Sequence, residues 1–568
     1  MANEPATPHQ MIETPPRLED QPARTDGMLP APAMPEPGIN RRPNGAMPRN
    51  VEVELKLLAD PERLKELSHA PAIVAHARNR GTVRLLKAVY YDTPSHALHR
   101  AGVTLRVRQI GKRFVQTLKM SPGDSVEPLH RGEWETPVAT MMPDLQSLMP
   151  LISPGLRDVL SREPLQPVFT TEVRRHLRDL AMPAGMVQVA FDQGVVRAGD
   201  KSAPISEIEL ELKHGSAAAL YELALPLSEL GSVRPSIRSK AERGFDLALG
   251  APPSVRKAGT ALCAEDASLD DAFTAFLQSG LGQLLVNQAA AEDGRDPEGI
   301  HQLRVALRRL RCALSLLRSL APSAALDAFR ADAKWLASSL SGARNWDVFL
   351  AEVLTEVAQG CGPLDGFDAI REIAERSRAS SYAAACEALA ERRAGRFQLA
   401  LGAWIEQRGW RCNVSGDNLA ALAAPAISFA SRVLARHHGK VLKRGRNWQE
   451  LSPEARHDLR LAVKKLRYAA DFFLPLFGDQ GSARRYARRL GRLQDRLGCY
   501  NDAATTRQLV AQLPVETVPA AAREALGAVI GWQACRLAGA EPDLQTAWRR
   551  FRRAPRPWSG RRSDHREG

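Results

Sequence analysis

The sequence predicts an α+β N-terminal half, an antiparallel β-barrel with a tunnel through it, followed by an all-α, internally duplicated helical bundle. Three observations predict this. Short runs between 51 and 213 alternate apolar and charged residues with period two. That patterning stops after a stretch at 252–262 bearing Pro252, Pro253 and Gly259. Beyond it a His/Arg pattern recurs at a constant offset of 156 residues. A chain of 568 residues exceeds what one core supports, so two or three cores are expected.

Residues 1–49 are dense in proline and poor in large apolar side chains, which predicts a disordered tail. The start, Met1-Ala2-Asn3-Glu4-Pro5, lacks a basic leader followed by an apolar stretch, so no secretory signal is expected. No apolar run approaches the roughly 20 residues of a membrane span. The seven cysteines are widely spaced and form no CxxC pair, which reads as reduced thiols in a cytoplasmic protein.

The run Val51-Glu52-Val53-Glu54-Leu55-Lys56 puts two carboxylates and an ammonium on one strand face and three apolar side chains on the other. Paired carboxylates are hard oxygen ligands suited to Mg²⁺ or Mn²⁺, and a lysine two residues on can hold the anion such a metal accompanies. A helix is expected at 61–69. Later strands repeat the charged face: Arg106 and Arg108 share one side, Lys119 sits beside Thr117 and Val115, and Arg131, Glu133 and Glu135 lie opposite Trp134. In 187–192, Gln188, Ala190 and Asp192 oppose valines and Phe191, and 207–213 sets Glu207, Glu209 and Glu211 against Ile208, Leu210 and Leu212. Strands of this kind suit a barrel with a charged lumen and an apolar outside covered by helices. Like charges crowded in a lumen are costly unless ions or ligand pair with them.

The segment 194–202 (GVVRAGDKS) nearly spells a phosphate-binding loop, but Asp200 interrupts it and a strand follows instead of a helix. It is expected to be a hairpin turn. No zinc-type Cys/His spacing and no nucleophile elbow appears.

In order along the chain, Glu52-x-Glu54-x-Lys56, Tyr90-Tyr91-Asp92-Thr93, Leu105-Arg106-x-Arg108, Lys119, Arg131-x-Glu133, the 207–213 run and Ser239-Lys240 resemble the CYTH domain of the triphosphate tunnel metalloenzymes, over about 51–250. The resemblance implies a tunnel in which Lys56, Arg106, Arg108, Lys119, Arg131, Arg174 and Lys240 grip a triphosphate. It implies that Glu52, Glu54, Glu133, Asp192, Glu209 and Glu211 hold one or two divalent cations or orient water, with Glu52, Glu54 and Lys56 the catalytic set. Two ambiguities stay open: Arg175 adjoins Arg174 on the opposite face, and the Glu207/Glu209/Glu211 triplet leaves the ligand pair undefined. The general base is not readable from the sequence.

The helical half carries +11 of the chain's net +14: residues 261–568 hold 45 Lys+Arg against 34 Asp+Glu, leaving 33 against 30 before them. Such an asymmetry points to a polyanionic partner. His301, Arg304, Arg308, Arg309 and Arg311 recur as His457, Arg460, Lys464, Lys465 and Arg467, with Leu303, Leu307 and Leu310 matched by Leu459, Val463 and Leu466. Each copy is an amphipathic helix with a basic stripe beside its core face. Leu340 to Asn345, containing Arg344, corresponds at offset 157 to Leu497 to Asp502, and Arg485, Arg488, Arg492 and Arg496 form a further basic ladder. These motifs resemble the CHAD domain, which implies a helical fold binding inorganic polyphosphate through Arg304, Arg308, Arg309, Arg311, Arg344, Arg460, Lys464, Lys465 and Arg467. His301 and His457 contact the anion or orient the helix.

The expected organisation is a tail at 1–49, the tunnel domain at 50–250, a linker at 251–264, the helical domain at 265–555 and a basic disordered tail at 556–568. The function expected is hydrolysis of inorganic tripolyphosphate to pyrophosphate and phosphate, with Mg²⁺ or Mn²⁺, by an enzyme tethered to a polyphosphate-binding domain. Its place is the cytoplasm, in company with polyphosphate granules, and no membrane partner is expected. Two alternatives remain: a nucleoside or thiamine triphosphatase or adenylate cyclase of the same superfamily, and a non-catalytic protein binding polyphosphate or nucleic acid. An aromatic content of 5% disfavours base stacking.

Overall fold

Period-two alternation from 51 to 215 resolves into an antiparallel sheet whose register is set by that alternation. The computed structural model describes residues 51–120, 130–231, 233–259, 264, 266–362, 365–412, 414–478, 480–513 and 519–559; the side chains at 51, 52, 130–133 and 453 fall outside it. The expected tail at 1–49 and residues 560–568 of the expected C-terminal tail lie outside the described residues.

The strands are β1 (Val51–Leu58), β2 (Thr82–Asp92), β3 (Val103–Ile110), β4 (Arg113–Met120), β5 (His130–Val138), β6 (Gln166–Met182), β7 (Gly185–Ala198), β8 (Lys201–Gly215) and β9 (Arg234–Pro235). They lie in the order β5-β4-β3-β2-β6-β7-β8-β1-β9, and β1 also pairs with β5 over 51–53. The phosphate-loop look-alike is the end of β7 and a two-residue turn into β8, with Gly199 at φ 59°.

Register carries one face round all the long strands. Glu54 pairs with Glu211 and Lys56 with Glu209; Glu209 pairs with Ala190 and Glu207 with Asp192; Asp192 pairs with Arg175. On the other side Arg106 pairs with Tyr90 and Thr117, and Lys119 with Glu133. The opposite face is apolar and covered by helices over two stretches, while on β2 and β6 between them Leu85, Lys87, Glu172 and Arg174 are exposed. Here α1 (Leu64–Leu67), α2 (Pro71–His76) and α6 (Ala218–Leu230) cover Leu55, Leu57, Val189, Phe191, Ile208 and Leu210. Likewise α3 (Ala97–Arg100), α4 (Leu145–Leu148) and α5 (Pro154–Leu160) cover Leu105, Val107 and Leu118.

The charged face is not charged throughout. Helix α7 (Lys240–Leu249) packs Ala241 and Phe245 against Leu86, Ala88, Tyr90, Phe169 and Val173 of that face. Gly244 lets it approach: a Cβ there would stand 2.1 Å from the Phe169 ring. Ser239 caps α7 through a reciprocal bond with Glu242, which fixes where the helix begins and so where Lys240 stands.

The second half is helical: α8 (Leu269–Asp293), α9 (Glu298–Leu317), α10 (Ala324–Ser339), α11 (Ser341–Val348), a π-helical turn at Phe349–Leu354, α12 (Thr355–Cys361), α13 (Phe367–Ala390), α14 (Arg392–Glu406), α15 (Gly416–Ala423), α16 (Ala426–Arg444), α17 (Pro453–Phe473), α18 (Gln480–Gln512) and α19 (Ala520–Arg552). The repeated stripes fall on α9 and α17, whose leucines and valine are buried in one core. That core extends past the expected boundary at 555, because Trp558 packs edge-on against Tyr486 at 4.8 Å between ring centroids.

The two halves share a core. Leu399 and Ala403 of α14 belong to the same buried cluster as Leu220, Leu223 and Leu227 of α6. The described part of the expected linker, up to Gly259, is laid on the helices. The Asn287 side chain bonds the Arg256 N–H and C=O, both at 2.9 Å, and Gln302 accepts from the Ala258 N–H at 3.3 Å. Asn287 is fully buried and Gln302 6% exposed, and amides so placed require partners, which linker backbone supplies.

Candidate active site and polyanion site

Three carboxylates converge on the charged face of the sheet. Asp192, Glu207 and Glu209 each place one oxygen within 4.8 Å of the others, the only such group among the described residues. Asp192 and Glu207 are fully buried. Cations surround them. Lys240 lies 2.6 Å from Asp192 and 2.9 Å from Glu209 and also pairs with Glu207. Arg175 reaches Asp192 and Glu209, Lys56 stands 3.3 Å from Glu209 and 3.7 Å from Glu207, and Arg243 pairs with Glu207.

Burial opposes ionisation of Glu209, but Lys240, Arg175 and Lys56 override it and hold its carboxyl well below the usual range. Burial likewise opposes the Lys240 charge, and Glu207, Glu209 and Asp192 restore it, raising the ammonium above its ordinary value. Three anions thus face four cations, Lys56, Arg175, Lys240 and Arg243, at a site with Arg106, Arg108 and Lys119 on the same face. Hard carboxylate oxygens at this spacing suit a divalent cation.

Several expected residues stand differently. Arg174 is exposed on the outer face, and Arg175 occupies the position expected of it, because the pairing with Asp192 sets the register one residue on. Glu207, left ambiguous by the triplet, is a member of the acidic trio. Glu54 and Glu211 pair with each other on the same face, one step away from the trio, and Glu211 bonds Lys213. The side chains of Glu52, Arg131 and Glu133 lie outside the described residues. Arg243 was missed; its signal was its place three residues after Lys240, one turn along α7.

In the helical half, the two basic stripes meet. Burial, then repulsion from Arg308 and Arg344, lowers the Arg304 guanidinium to about 10. Burial, then Arg460, Arg308 and Arg304, lowers the Lys464 ammonium to about 8. Each copy therefore feels the other's charge. Arg304 bonds the Ala337 carbonyl at 2.7 Å and Arg460 the Asn501 side chain at 2.9 Å, yet the buried Nε atoms of Arg304, Arg308 and Arg460 have no hydrogen-bond partner among the described residues. Burial, then the neighbouring Arg344 charge, lowers the His301 imidazole below its ordinary value.

Other stripe residues do not join this cluster. Arg309 donates to the Gly259 carbonyl at 2.9 Å and lies over the Phe472 ring, so it holds the linker. Arg467 is paired with Asp471 at 3.0 Å and Arg496 with Asp543 at 3.1 Å. Lys465 and His457 are exposed, Lys465 near His437. Arg311 is half-buried two turns beyond Arg304 on the same side of α9.

Comparison with known proteins matches residues 50–245 to the CYTH domain and 275–511 to the CHAD domain. The chain carries a CYTH domain followed by a CHAD domain. The CYTH half is similar to an inorganic triphosphatase of Haemophilus influenzae, 33% identical over 195 residues, 34% of this chain and 54% of that protein, so the match spans about half of the relative's length. The CHAD half is similar to the CHAD domain from the plant Ricinus communis, at 30% identity, covering 53% of this chain and 99% of that one with a TM-score of 0.46. A further likeness is to PptA from Streptomyces chartreusis, at 18% identity over 50% of this chain and all of that one, with a TM-score of 0.36. Among the described residues no helix is long and apolar enough to cross a membrane.

Proposed function

We propose that the protein is a divalent-metal-dependent inorganic triphosphatase whose sheet encloses a tunnel, and that its CHAD half binds inorganic polyphosphate. The observation carrying the first part is the trio Asp192, Glu207 and Glu209, two of them fully buried, paired on all sides by lysine and arginine. Asp192, Glu207 and Glu209 would hold Mg²⁺ or Mn²⁺, which would supply charge neutralisation of phosphate oxygens and activation of water. The residues do the rest by exchange of partners. A triphosphate entering the site would draw Lys56, Arg175, Lys240 and Arg243 from carboxylate to phosphate, together with Arg106, Arg108 and Lys119. The same lysines and arginines then stabilise the charge that grows on the departing pyrophosphate, and Glu54 and Glu211 stand beside the trio where they can orient water.

Tripolyphosphate is favoured over nucleotides because the cationic face offers charge for phosphates and the relative of the CYTH half is named an inorganic triphosphatase. For the CHAD half, the supporting observation is the desolvated cluster Arg304, Arg308, Arg344, Arg460 and Lys464, which repel one another and are relieved by an anion. The domain limits that suit this reading are about 50–250 and 265–559, in a cytoplasmic protein. The test is phosphate release from tripolyphosphate, ATP and thiamine triphosphate with Mg²⁺ or Mn²⁺, by wild type and Glu207→Gln. Release from tripolyphosphate that is lost in the variant supports the proposal; equal release by both sinks it.

A further inference from the structure

We infer that Glu292, in the last turn of α8, and Arg295, in the connection from α8 to α9, are positioning residues for the tunnel cations Lys240 and Arg243, an inference that rests on the function proposed above. Those two cations reach the acidic trio from α7, not from the sheet, so their placement depends on what holds α7. The end of α8 and the connection that follows it grip the chain on both sides of that helix.

On the leading side, Arg234 of β9 ion-pairs with Glu292, which Gln288 holds at 2.9 Å. β9 pairs with Leu57 and Leu58, and the next residue, Ser236, donates its N–H to the Lys56 carbonyl at 2.9 Å. The segment from Arg234 to Ser239 therefore lies along the strand that carries Lys56 and delivers the chain to Lys240.

On the trailing side, Arg295 donates to the carbonyls of Gly250 at 2.9 Å and Ala251 at 3.2 Å. Gly250 ends α7 in the left-handed region at φ 64°, and carbonyls at a helix end lack intrahelical partners. Asp293 fixes the guanidinium with bonds at 2.7 and 2.8 Å. The neighbouring Gly294 carbonyl accepts from Arg378 at 3.3 Å, and Arg378 holds Asp347 at 2.7 Å, three residues beyond Arg344. The connection thus touches α7 on one side and the supports of the polyanion cluster on the other.

With Lys240 at 2.6 and 2.9 Å from two carboxylates, small movements of α7 alter its contacts at once, and misplacement by about 1 Å can cost on the order of 100-fold in such sites. The test uses the full chain with Glu292→Gln and Arg295→Ala, singly and together. Arg396→Ala is the control: it breaks the 2.9 Å pair with Glu229 at the same junction without touching α7. Tripolyphosphate and Mn²⁺ binding are measured calorimetrically, and amide exchange is followed over 240–249.

The inference expects faster exchange in α7, binding of both ligands weakened by roughly tenfold, partial recovery with Arg295→Lys, and neither effect in Arg396→Ala. Unchanged binding, or an equal loss in Arg396→Ala, overturns it. Should the double variant not fold, the single variants decide. Wild type that binds neither ligand overturns the proposed function instead, and unchanged exchange over 240–249 then overturns the clamp independently.

Discussion

Arg175 meets Asp192 across β6 and β7 as a two-pronged pair, Nε to Oδ1 at 2.8 Å and Nη2 to Oδ2 at 2.6 Å, and its Nη2 also reaches Glu209. One guanidinium therefore ties two of the three clustered carboxylates. Removing it leaves Asp192, which is fully buried, dependent on Lys240. Arg175→Ala is expected to destabilise the protein by about 3 kcal/mol in urea unfolding, whereas Arg174→Ala, at an exposed outer-face position, changes stability by less than about 0.5 kcal/mol.

Glu207→Gln keeps the side chain's shape and removes its charge. Because losing even an outer-shell partner costs roughly 10- to 100-fold in metal affinity, the expected loss of Mn²⁺ affinity is at least about 100-fold. Glu211→Gln, one pairing step from the trio, should cost less. Calorimetric titration with Mn²⁺ ranks the two, and equal losses would disprove the assignment of Glu207 to the metal side.

Polyphosphate binding should weaken as pH rises. The Lys464 ammonium is lowered to about 8 by burial and by Arg460, Arg308 and Arg304. A bound anion restores its proton, so binding takes up protons and affinity falls as pH rises above about 8. Lys464→Arg should flatten this dependence. In the ligand-free protein the sign reverses: between about 8 and the ordinary lysine value of 10.5 the unfolded chain holds the extra proton, so the Lys464 contribution makes folding more favourable as pH rises through that window.

Arg309→Ala and Arg304→Ala should separate stability from binding. Arg309 bonds the linker at Gly259 and lies 5.7 Å from the Phe472 ring centroid, so its loss is expected to cost about 1–2 kcal/mol in unfolding while leaving polyphosphate affinity unchanged. Arg304→Ala should lower polyphosphate affinity, read by competition binding.

Gly244→Ala tests how closely α7 must lie on the sheet. The added methyl would overlap the Phe169 ring, and overpacking of this kind costs about 1–3 kcal/mol. A melting temperature equal to wild type would show that α7 can withdraw without penalty.

Alternation made the strands and their charged faces legible, because period two assigns every side chain to one side once pairing is antiparallel. It could not choose between Arg174 and Arg175, since adjacent residues occupy opposite faces and only the pairing with Asp192 fixes which faces inward. The repeat at offset 156 located both stripes, yet side chains on one helix diverge in use: Arg304 bonds the Ala337 carbonyl and repels Lys464 of the other copy, while Arg309 turns to the linker. Arg243 and the grip of Arg295 on α7 depend on contacts between segments far apart in the chain, which periodicity does not encode.

Leu399 and Ala403 sit in the sheet domain's buried cluster although they follow it by some 150 residues, beyond α13 and at the heart of the helical sequence. A cut placed between 251 and 264 would accordingly sever the chain without dividing the molecule. Each piece would carry away part of the other's wall, leaving α6 and α14 as bare apolar strips. Anyone exchanging one half for that of a relative must graft the matching face of α14 as well, for the seam in sequence and the seam in space lie at different addresses.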